Sequence, residues 1–321
     1  MDGADLELFE RSLRHATENH TGAPLDEALD ELGWGDALAL DPHAAISILF
    51  ELQGATNSTS SALDQVLLHA LGLEATPARG VVLPAAGGWS APGRQDGERL
   101  SVRGLGTAAL AGREWAVVAA DGGSTQVAAI VGTPALTLRP VSGVDPVLGL
   151  VEVSGDAAPD EIGPGDWHTA VALGQLAIGH EIVGASRKML ELARQHALER
   201  IQFGRPISTF QAVRHRLADT LVAIETADAM LDAAWQDRSA QNASMAKALA
   251  GRGARVAARH CQQVLAGIGF TTEHAFHRYF RRVLVLDQLL GSSRSLTKEL
   301  GIELLASRQL PALLPLDAAS K

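Results

Sequence analysis

The sequence predicts a mainly α-helical protein with a small β-domain in the middle of the chain. Apolar residues recur at helical spacing towards both ends, and the stretch between them holds eight of the 13 prolines and several short strand-like runs. The predicted domains are an N-terminal helical domain over residues 1–74, a middle β-domain over 75–165 and a C-terminal helical bundle over 166–321.

The N-terminal region has helical character from Asp5 to about Leu73. The segments 25–32 and 62–71 carry apolar residues at steps of three and four, which is the spacing of one helix face. Asp41-Pro42 has the chemistry of a helix start, because an aspartate can cap free N–H groups and proline fits the first helical turn. We therefore expect several helices here, one of them capped by Asp41.

The middle region has the pattern of a small antiparallel barrel or sandwich. Short runs of β-branched and apolar residues alternate with glycine, proline and other turn residues at short intervals. The runs cover residues 80–83, 99–102, 115–118, 126–131, 136–138 and 150–153.

The C-terminal region, from Trp167 to about Leu310, has the pattern of an up-down bundle of about four helices. Glycine-containing breaks at 204–206 and 266–269 separate long helical stretches. One stripe recurs at steps of three, four and seven through Val213, Leu217, Leu221, Ile224, Leu231 and Ala234.

Charge and cysteine usage limit the expected partners. The formal net charge of -10 and pI near 5.5 provide no overall basic field, so nucleic acid is not an expected partner. No apolar run approaches the ~18 residues of a membrane span, and the acidic start Met1–Glu10 lacks the pattern of a signal peptide. The single cysteine, Cys261, is expected to be buried and inert. We expect a cytoplasmic protein without a membrane partner.

Histidines and basic residues of the C-terminal region do not indicate a metal site. The histidines lack the spacing of a ligand set: His260, His274 and His277. A basic stripe predicts a solvated or interface face, with phosphate contact as the alternative: Lys247, Arg252, Arg255 and Arg259.

Two motifs in the C-terminal region resemble the acyl-CoA dehydrogenase family. Residues 197–207 read A-L-E-R-I-Q-F-G-R-P-I and are followed by Phe210-Gln211, which is similar to the family's arginine, Phe-Gly-x-Pro-Ile and Phe-Gln pattern. Residues 263–273 read Q-V-L-A-G-I-G-F-T-T-E, which is similar to the family's Gln-x-x-Gly-Gly-x-Gly stretch. The resemblance covers residues 160–305 well. It implies the family's order of N-terminal helices, here shortened, middle β-domain and four-helix bundle.

The resemblance implies FAD as the cofactor and a set of residues that bind its ADP half across a subunit interface. Arginine suits the diphosphate because its planar fork matches phosphate oxygens and stays charged. The implied cofactor-binding residues are Arg200, Gln202, Phe203, Gly204, Gln263 and Gly267.

The family's catalytic base is missing from both of its known positions. The family removes the α-proton of an acyl-CoA thioester with a carboxylate while the β-hydride passes to the flavin. Leu290 stands at one family position of the glutamate and Gly174 at the other, with Gln175 in place of a substrate-contacting arginine. We therefore predict no catalytic residue in this chain.

The β-domain also departs from the family in the segments that cover the flavin ring. These segments read P-A-A-G-G-W-S over residues 84–90 and A-A-L over 108–110, without the family's hydrogen-bonding and aromatic groups. This combination resembles one subunit of the heteromeric, steroid-type acyl-CoA dehydrogenases. It implies a homologous, glutamate-bearing partner, a heterotetramer of two unlike pairs, and a bulky acyl-CoA substrate of the complex, such as a sterol breakdown product.

Two other functions stay open. The chain could be a scaffold that keeps the fold and binds no flavin, or an active homo-oligomer with a displaced base. For the latter the candidates are Glu181 and Asp287.

Overall fold

Five helices form the N-terminal part of the computed structural model, which describes residues 3–122 and 125–308. They are α1 Gly3–Asn19, α2 Ala23–Glu31, α3 Trp34–Leu40, α4 Pro42–Thr56 and α5 Ala62–Ala70. The Asp41 carboxylate accepts a hydrogen bond from the Ala44 N–H at 3.1 Å, so the helix start expected at Asp41-Pro42 is confirmed. Trp34 and Leu49 are fully buried in the core of this region.

Eight strands of the middle region join into one sheet in the order β6-β7-β3-β2-β4-β5-β8, with β1 beside β4. The strands are β1 Arg79–Val81, β2 Gly93–Asp96, β3 Arg99–Gly106, β4 Trp115–Asp121, β5 Gln126–Gly132, β6 Thr137–Pro140, β7 Val151–Ala157 and β8 Glu161–Pro164. Apolar side chains of the sheet form a small core of their own around Val102, Val118 and Val153.

Two features of this sheet differ from the expectation. The strands β2 and β8 were not predicted, since their sequences, G-R-Q-D and E-I-G-P, lack the alternating apolar residues of a half-buried strand. The pairings β1/β4 and β2/β4 are parallel, whereas an antiparallel domain was expected. Both parallel pairs join strands separated by long stretches of chain, which is the condition that parallel pairing requires.

The C-terminal part contains five described helices: α6 Trp167–Glu199, α7 Gln211–Trp235, α8 Ala240–Leu265, α9 Phe276–Leu286 and α10 Ser293–Ser307. A short hairpin, β9 Ile201–Gln202 with β10 Arg205–Pro206, separates α6 from α7, and a 3-10 turn, Ala266–Phe270, follows α8. Both breaks lie where the glycines predict them. The 33-residue α6 packs against α4 and α5 as well as against α7, α8 and α9.

Helix α4 crosses α6 at a point where two glycines allow the backbones to touch. A methyl group at Gly54 would overlap the carbonyl oxygen of Glu181, and one at Gly184 would overlap the carbonyl oxygen of Glu51. Since any side chain would push the helices apart, this crossing fixes the N-terminal helices against the bundle.

A buried arginine connects all three regions. Arg282 of α9 is fully buried and donates to the Asp145 carboxylate at 2.7 Å, to the Glu181 carboxylate at 3.1 Å and to the Ser58 carbonyl at 2.9 Å. These acceptors lie in the segment before β7, in α6 and after α4 respectively. A buried charge is tolerated only when it is paired in this way.

The prediction of a mainly α-helical protein with a middle β-domain is confirmed. The boundaries at 74/75 and 165/166 stay predictions. Residues 309–321 and 1–2 of the predicted terminal domains lie outside the described residues, as does the end of the helical pattern near Leu310. Within 3–122 and 125–308, no helix has the length and apolarity needed to cross a membrane.

Candidate functional site

The turn between β9 and β10 presents an aromatic side chain to solvent. Phe203 and Gly204 have φ values of 53° and 78°, as a two-residue type I′ hairpin turn requires. A positive φ is unusual for phenylalanine and stores backbone strain. The Phe203 side chain is 91% exposed and meets the Phe210 ring edge-on at 6.1 Å, while the Arg205 guanidinium lies 4.5 Å from the Phe210 ring centre.

The backbone on both sides of this hairpin is fixed by hydrogen bonds. The Arg200 N–H donates to the His196 carbonyl at 2.8 Å and so ends α6, and the Ile207 N–H donates to the Arg200 carbonyl at 2.8 Å. Arg200 is thereby held at the base of the hairpin, beside the end of α8.

A surface pocket of about 650 Å³, here called the hairpin pocket, lies between this hairpin, the start of α7 and the end of α8. It brings together five of the six residues predicted to bind the cofactor: Arg200, Gln202, Phe203, Gln263 and Gly267. The sixth, Gly204, lies in the adjoining turn and does not line the pocket. A methyl group at Gly267 would meet no atom within 4 Å, so this backbone faces open space.

The hairpin pocket has the chemistry of an anion site with an apolar wall. Arg200 and Arg216 both line it, and no acidic side chain is among its described lining residues. Burial, with His274 and Arg200 nearby, lowers the pKa of His196 in the same pocket. Two guanidinium groups beside aromatic rings suit a nucleotide, which carries phosphates and a flat base.

Arg216 and His196 also line this pocket, although neither was predicted as a site residue. Arg216 follows Val213 by three residues on α7, so both lie on one helix face. His196 precedes Arg200 by four residues, and its carbonyl accepts the Arg200 N–H at the end of α6. Helical spacing from the motif residues was the signal available for both.

The two positions that the resemblance assigns to the base, Gly174 and Leu290, lie next to each other, and leucine side chains fill the space between them. A methyl group at Gly174 would lie 2.5 Å from Leu290 Cδ1 and 3.0 Å from Leu67 Cδ2. Leu290 is 1% exposed, and its carbonyl accepts a hydrogen bond from Gln175 Nε2 at 2.9 Å. The side-chain oxygen Oε1 of Gln175 in turn accepts a hydrogen bond from the Ser244 hydroxyl at 3.1 Å. The space is therefore closed and apolar.

A buried lysine holds the turn that carries Leu290. Lys247 of α8 is fully buried and donates to the carbonyls of Leu286, Asp287 and Gly291 at 3.1, 3.2 and 3.3 Å. Burial lowers its pKa to about 8. The expectation of a solvated or interface stripe is therefore wrong at Lys247, because the unpaired carbonyls at the end of α9 need a donor.

The segment 84–90, which the resemblance assigns to the flavin ring, is packed onto this same turn. The Gly87 N–H donates to the Gln288 carbonyl at 2.8 Å, and the Ser295 hydroxyl donates to the Gly87 carbonyl at 3.1 Å. A methyl group at Gly291 would lie 3.2 Å from the Trp89 ring. No open groove separates the segment from the turn at these contacts.

The candidate displaced bases are both engaged in ion pairs. Glu181 is buried against Arg282, and burial raises its pKa despite the positive charge. Asp287 is paired with Arg255 and accepts the Ser293 N–H at 3.0 Å. Neither carboxylate reaches the Gly174–Leu290 contact as a free group.

A group of possible metal ligands lies on the far side of α6. Ligand atoms of Glu51, His180 and Asp228 lie within 4.8 Å of one another. However, Arg187 binds both carboxylates, and His180 Nε2 accepts a hydrogen bond from the Trp235 indole at 3.0 Å. The arginine thus supplies the positive charge that a metal would bring. Cys261 is fully buried, which raises its thiol pKa to about 12, as expected for an inert cysteine.

A family model matches the C-terminal region of the chain, and curated relatives match about half of the chain. Residues 167–304 match the family described as acyl-CoA dehydrogenase, C-terminal domain. The acyl-CoA dehydrogenase IpdE2 of Mycobacterium tuberculosis is 36% identical over 169 residues, which cover 51% of this chain and 51% of that protein. The acyl-CoA dehydrogenase FadE34 of the same organism is 37% identical over 151 residues, or 45% of this chain and 20% of the relative. The chain thus spans about half the length of these curated relatives or less.

Solved structures share the fold over nearly the whole chain. A variant of the Tcur3481-Tcur3483 steroid ACAD has a TM-score of 0.81 at 21% identity and covers 95% of this chain and 99% of that one. The ChsE4-ChsE5 complex from Mycobacterium tuberculosis has a TM-score of 0.78 at 19% identity, with 97% and 99% covered. Residues 167–304 therefore belong to the acyl-CoA dehydrogenase family, a family that uses FAD, and the chain has the fold of that family.

Proposed function

We propose that this chain is the subunit without a catalytic base in a heteromeric, FAD-dependent acyl-CoA dehydrogenase. A homologous, glutamate-bearing partner would supply the base and the contacts to the flavin ring. The hairpin pocket of this chain would bind the ADP half of the FAD held by that partner. The complex would catalyse α,β-desaturation of an acyl-CoA thioester.

The observation that carries this proposal is the contrast between an open hairpin pocket and a closed flavin-ring segment in the same chain. Five predicted contact residues meet around an exposed pocket that contains two arginines. At the other place, the segment 84–90 is hydrogen-bonded to the turn after α9, and Leu290 packs against Gly174. This contrast supports a chain that binds one half of an FAD and not the other.

Each lining residue has a role that follows from its chemistry. Arg200 and Arg216 would neutralise the diphosphate, because a planar guanidinium group matches the geometry of phosphate oxygens. The exposed Phe203 ring would lie against the flat adenine, for which an aromatic face is a suitable partner. FAD supplies the hydride acceptor when it is bound, whereas this chain supplies binding and orientation.

The likeness to heteromeric structures supports an unlike partner and a bulky substrate. One similar structure is described as a steroid ACAD and the other as a complex of two chains, ChsE4 and ChsE5. Because of this likeness, we propose that the substrate of the complex is a steroid-derived or similarly bulky acyl-CoA. We also propose that the complex is a heterotetramer of two unlike pairs.

Flavin content tests the proposal directly. The chain purified alone should be colourless, and co-expression with a glutamate-bearing homologue from the same genome should yield a yellow complex that desaturates acyl-CoA. In that complex, Arg200→Ala should weaken FAD retention about 10- to 100-fold, since a charged hydrogen bond contributes about 1.5–3 kcal/mol. Arg139→Ala, a change at an exposed arginine of β6, is the matched control and should retain FAD.

Two outcomes would contradict the proposal. Stoichiometric FAD on the chain alone would mean that the segment 84–90 can open. A complex whose flavin content is unaffected by Arg200→Ala would favour a scaffold that binds no flavin.

A further inference from the structure

A second surface pocket, here called the α1/α9 pocket, lies where the end of α1, the end of α4 and the start of α9 meet. It has a volume of about 460 Å³, and residues 145–147, before β7, line it as well. None of its described lining residues belongs to α6 or lines the hairpin pocket, and neither Gly174 nor Leu290 is among them. The α1/α9 pocket is therefore separate from the places that the resemblance assigns to the cofactor and the base.

Two arginines of α9 line the α1/α9 pocket without a partner for their charge. Arg278 and Arg281 are exposed and lie three residues apart, so they share one face of the helix. Among residues 3–122 and 125–308, neither guanidinium group makes an ion pair or a side-chain hydrogen bond. In a chain with a net charge of -10, two unpaired guanidinium groups in one pocket favour a ligand that carries carboxylates.

The same pocket also contains an unpaired carboxylate. Glu18, near the end of α1, is exposed and makes no ion pair with any described residue. The second acidic side chain among the described lining residues, Asp145, is paired with the buried Arg282 at 2.7 Å, so its charge is already compensated. Of the carboxylate and guanidinium charges described in this pocket, two positive ones and one negative one therefore stay uncompensated.

A hydrogen-bond acceptor without a donor lies at the end of α4. Asn57 ends this helix with a φ of 59° and lines the α1/α9 pocket. Its side-chain oxygen Oδ1 is buried and has no hydrogen-bond partner in the part of the chain that the structure describes. An unpaired buried acceptor is unfavourable, so this group favours a ligand that donates a hydrogen bond.

These groups together restrict the kind of ligand. A simple anion would be repelled by Glu18, and a simple cation would be repelled by both arginines. A molecule with two carboxylates and one ammonium group complements the three charges in sign and number, and its ammonium group is also a donor for Asn57 Oδ1. Acidic α-amino acids have this set of charges. The remaining polar lining groups are hydroxyls, amides and the imidazoles of His20 and His277, which can hydrogen-bond to either end of such a ligand.

We propose that the α1/α9 pocket binds a free acidic α-amino acid, with its carboxylates on Arg278 and Arg281 and its ammonium group on Glu18. The ligand would join two helices, α1 and α9, that are far apart in the chain. This site depends neither on flavin binding nor on a partner chain, so it can be tested separately from the proposed function.

Titration calorimetry of the full-length chain tests this with matched ligands. L-Glutamate should bind saturably at one site, whereas glutarate, which lacks the ammonium group, and 4-aminobutyrate, which lacks one carboxylate, should each bind with at least about tenfold lower affinity. Arg278→Gln and Arg281→Gln should each weaken L-glutamate binding about 10- to 100-fold, because each removes a charged hydrogen bond. Arg11→Gln, the same change at an exposed arginine of α1 that does not line the pocket, should leave binding unchanged.

Glu18→Gln distinguishes this site from a general anion site. It should weaken L-glutamate binding about tenfold and strengthen glutarate binding, since it removes a partner of the ammonium group and a repulsion of the carboxylates. The changed side chains are all exposed, so these variants should fold as the wild-type chain does. The absence of saturable binding of both L-glutamate and L-aspartate to the wild-type chain would overturn the proposal. Equal binding of L-glutamate and glutarate, or stronger binding of both to Glu18→Gln, would overturn it as well.

Discussion

The resemblance assigns two places in this chain to flavin contact, the hairpin pocket and the segment 84–90, and their structures are opposite. The first is exposed, lined by two arginines and built around a strained aromatic turn. The second is hydrogen-bonded to the turn after α9 and packed against it through Trp89. Because different elements build the two places, one can close without disturbing the other. The proposed site, which two subunits would share, could therefore lose its halves separately.

The largest expected effect concerns Arg282 of α9, the helix that precedes the turn on which the segment 84–90 is packed. Arg282→Ala leaves the buried Asp145 and Glu181 carboxylates without their partner, so the free energy of unfolding should fall by about 3–5 kcal/mol. Denaturant melts of the purified variant measure this. Arg281→Ala, at the exposed neighbouring position, should change stability by less than about 0.5 kcal/mol. Similar losses for both variants would mean that the buried network does not act as described.

A carboxylate introduced at position 290 tests whether the space around Leu290 is closed and apolar. Leu290→Glu introduces an unpaired charge among Leu67 and other apolar groups, and should lower the free energy of unfolding by about 3 kcal/mol without creating desaturase activity. Leu290→Met, which conserves volume and apolarity, should cost less than about 1.5 kcal/mol. A stable Leu290→Glu chain that binds flavin and desaturates acyl-CoA would contradict a closed site.

The buried carboxyl group of Asp64 predicts that the stability of the protein depends on pH. Burial raises the pKa of Asp64 to about 7, although the Thr107 hydroxyl donates to it at 2.8 Å. The folded state therefore holds a proton that the unfolded state loses near pH 4. The contribution of Asp64 to the free energy of unfolding should therefore be largest below pH 4. It should fall as the pH rises to about 7 and stay constant above that.

Asp64→Asn tests this dependence, because the amide cannot lose a proton and keeps an acceptor for Thr107. Between pH 4 and 7, the free energy of unfolding of this variant should change by roughly 2–4 kcal/mol less than that of the wild-type chain. Asp156→Asn, at an exposed residue paired with Arg99, should leave the pH profile unchanged. A wild-type profile without a decline in this range would contradict the assignment.

The smallest expected effect concerns Phe203, in the turn beside the hairpin pocket. Phe203→Gly removes the strain of a positive φ and should raise the free energy of unfolding by about 1 kcal/mol. The same change removes the exposed ring and should weaken flavin retention in the proposed two-chain complex. Phe270→Gly is a control at another exposed phenylalanine with an ordinary φ, and should not be stabilising. If Phe203→Gly lowered stability, the turn would not be strained.

Local chemistry was predictable from sequence, whereas long-range contacts were not. The Asp41 cap and the break at residues 204–206 depend on neighbouring residues, and both were predicted. The gathering of Arg200 and Gln263 in one pocket followed from a resemblance to a family, not from periodicity. By contrast, the burial of Lys247 and the network around Arg282 depend on partners about 40 to more than 200 residues away. No spacing rule along the chain identifies such partners.

The parallel pairings of the sheet were missed for the same reason. Strand β2 has a polar sequence and is held by its neighbours β3 and β4, not by its own propensity. The role of each residue in the hairpin pocket stays a prediction until the flavin measurements are made.

Arg282 also determines how the protein unfolds. A single guanidinium group is bonded to the loop after α4, to the segment before β7 and to α6, so none of these regions can leave without exposing a buried charge. The helical and β regions should therefore melt together in one calorimetric transition. Limited proteolysis should not release a folded fragment, and the three regions should not be separable into independently expressed pieces.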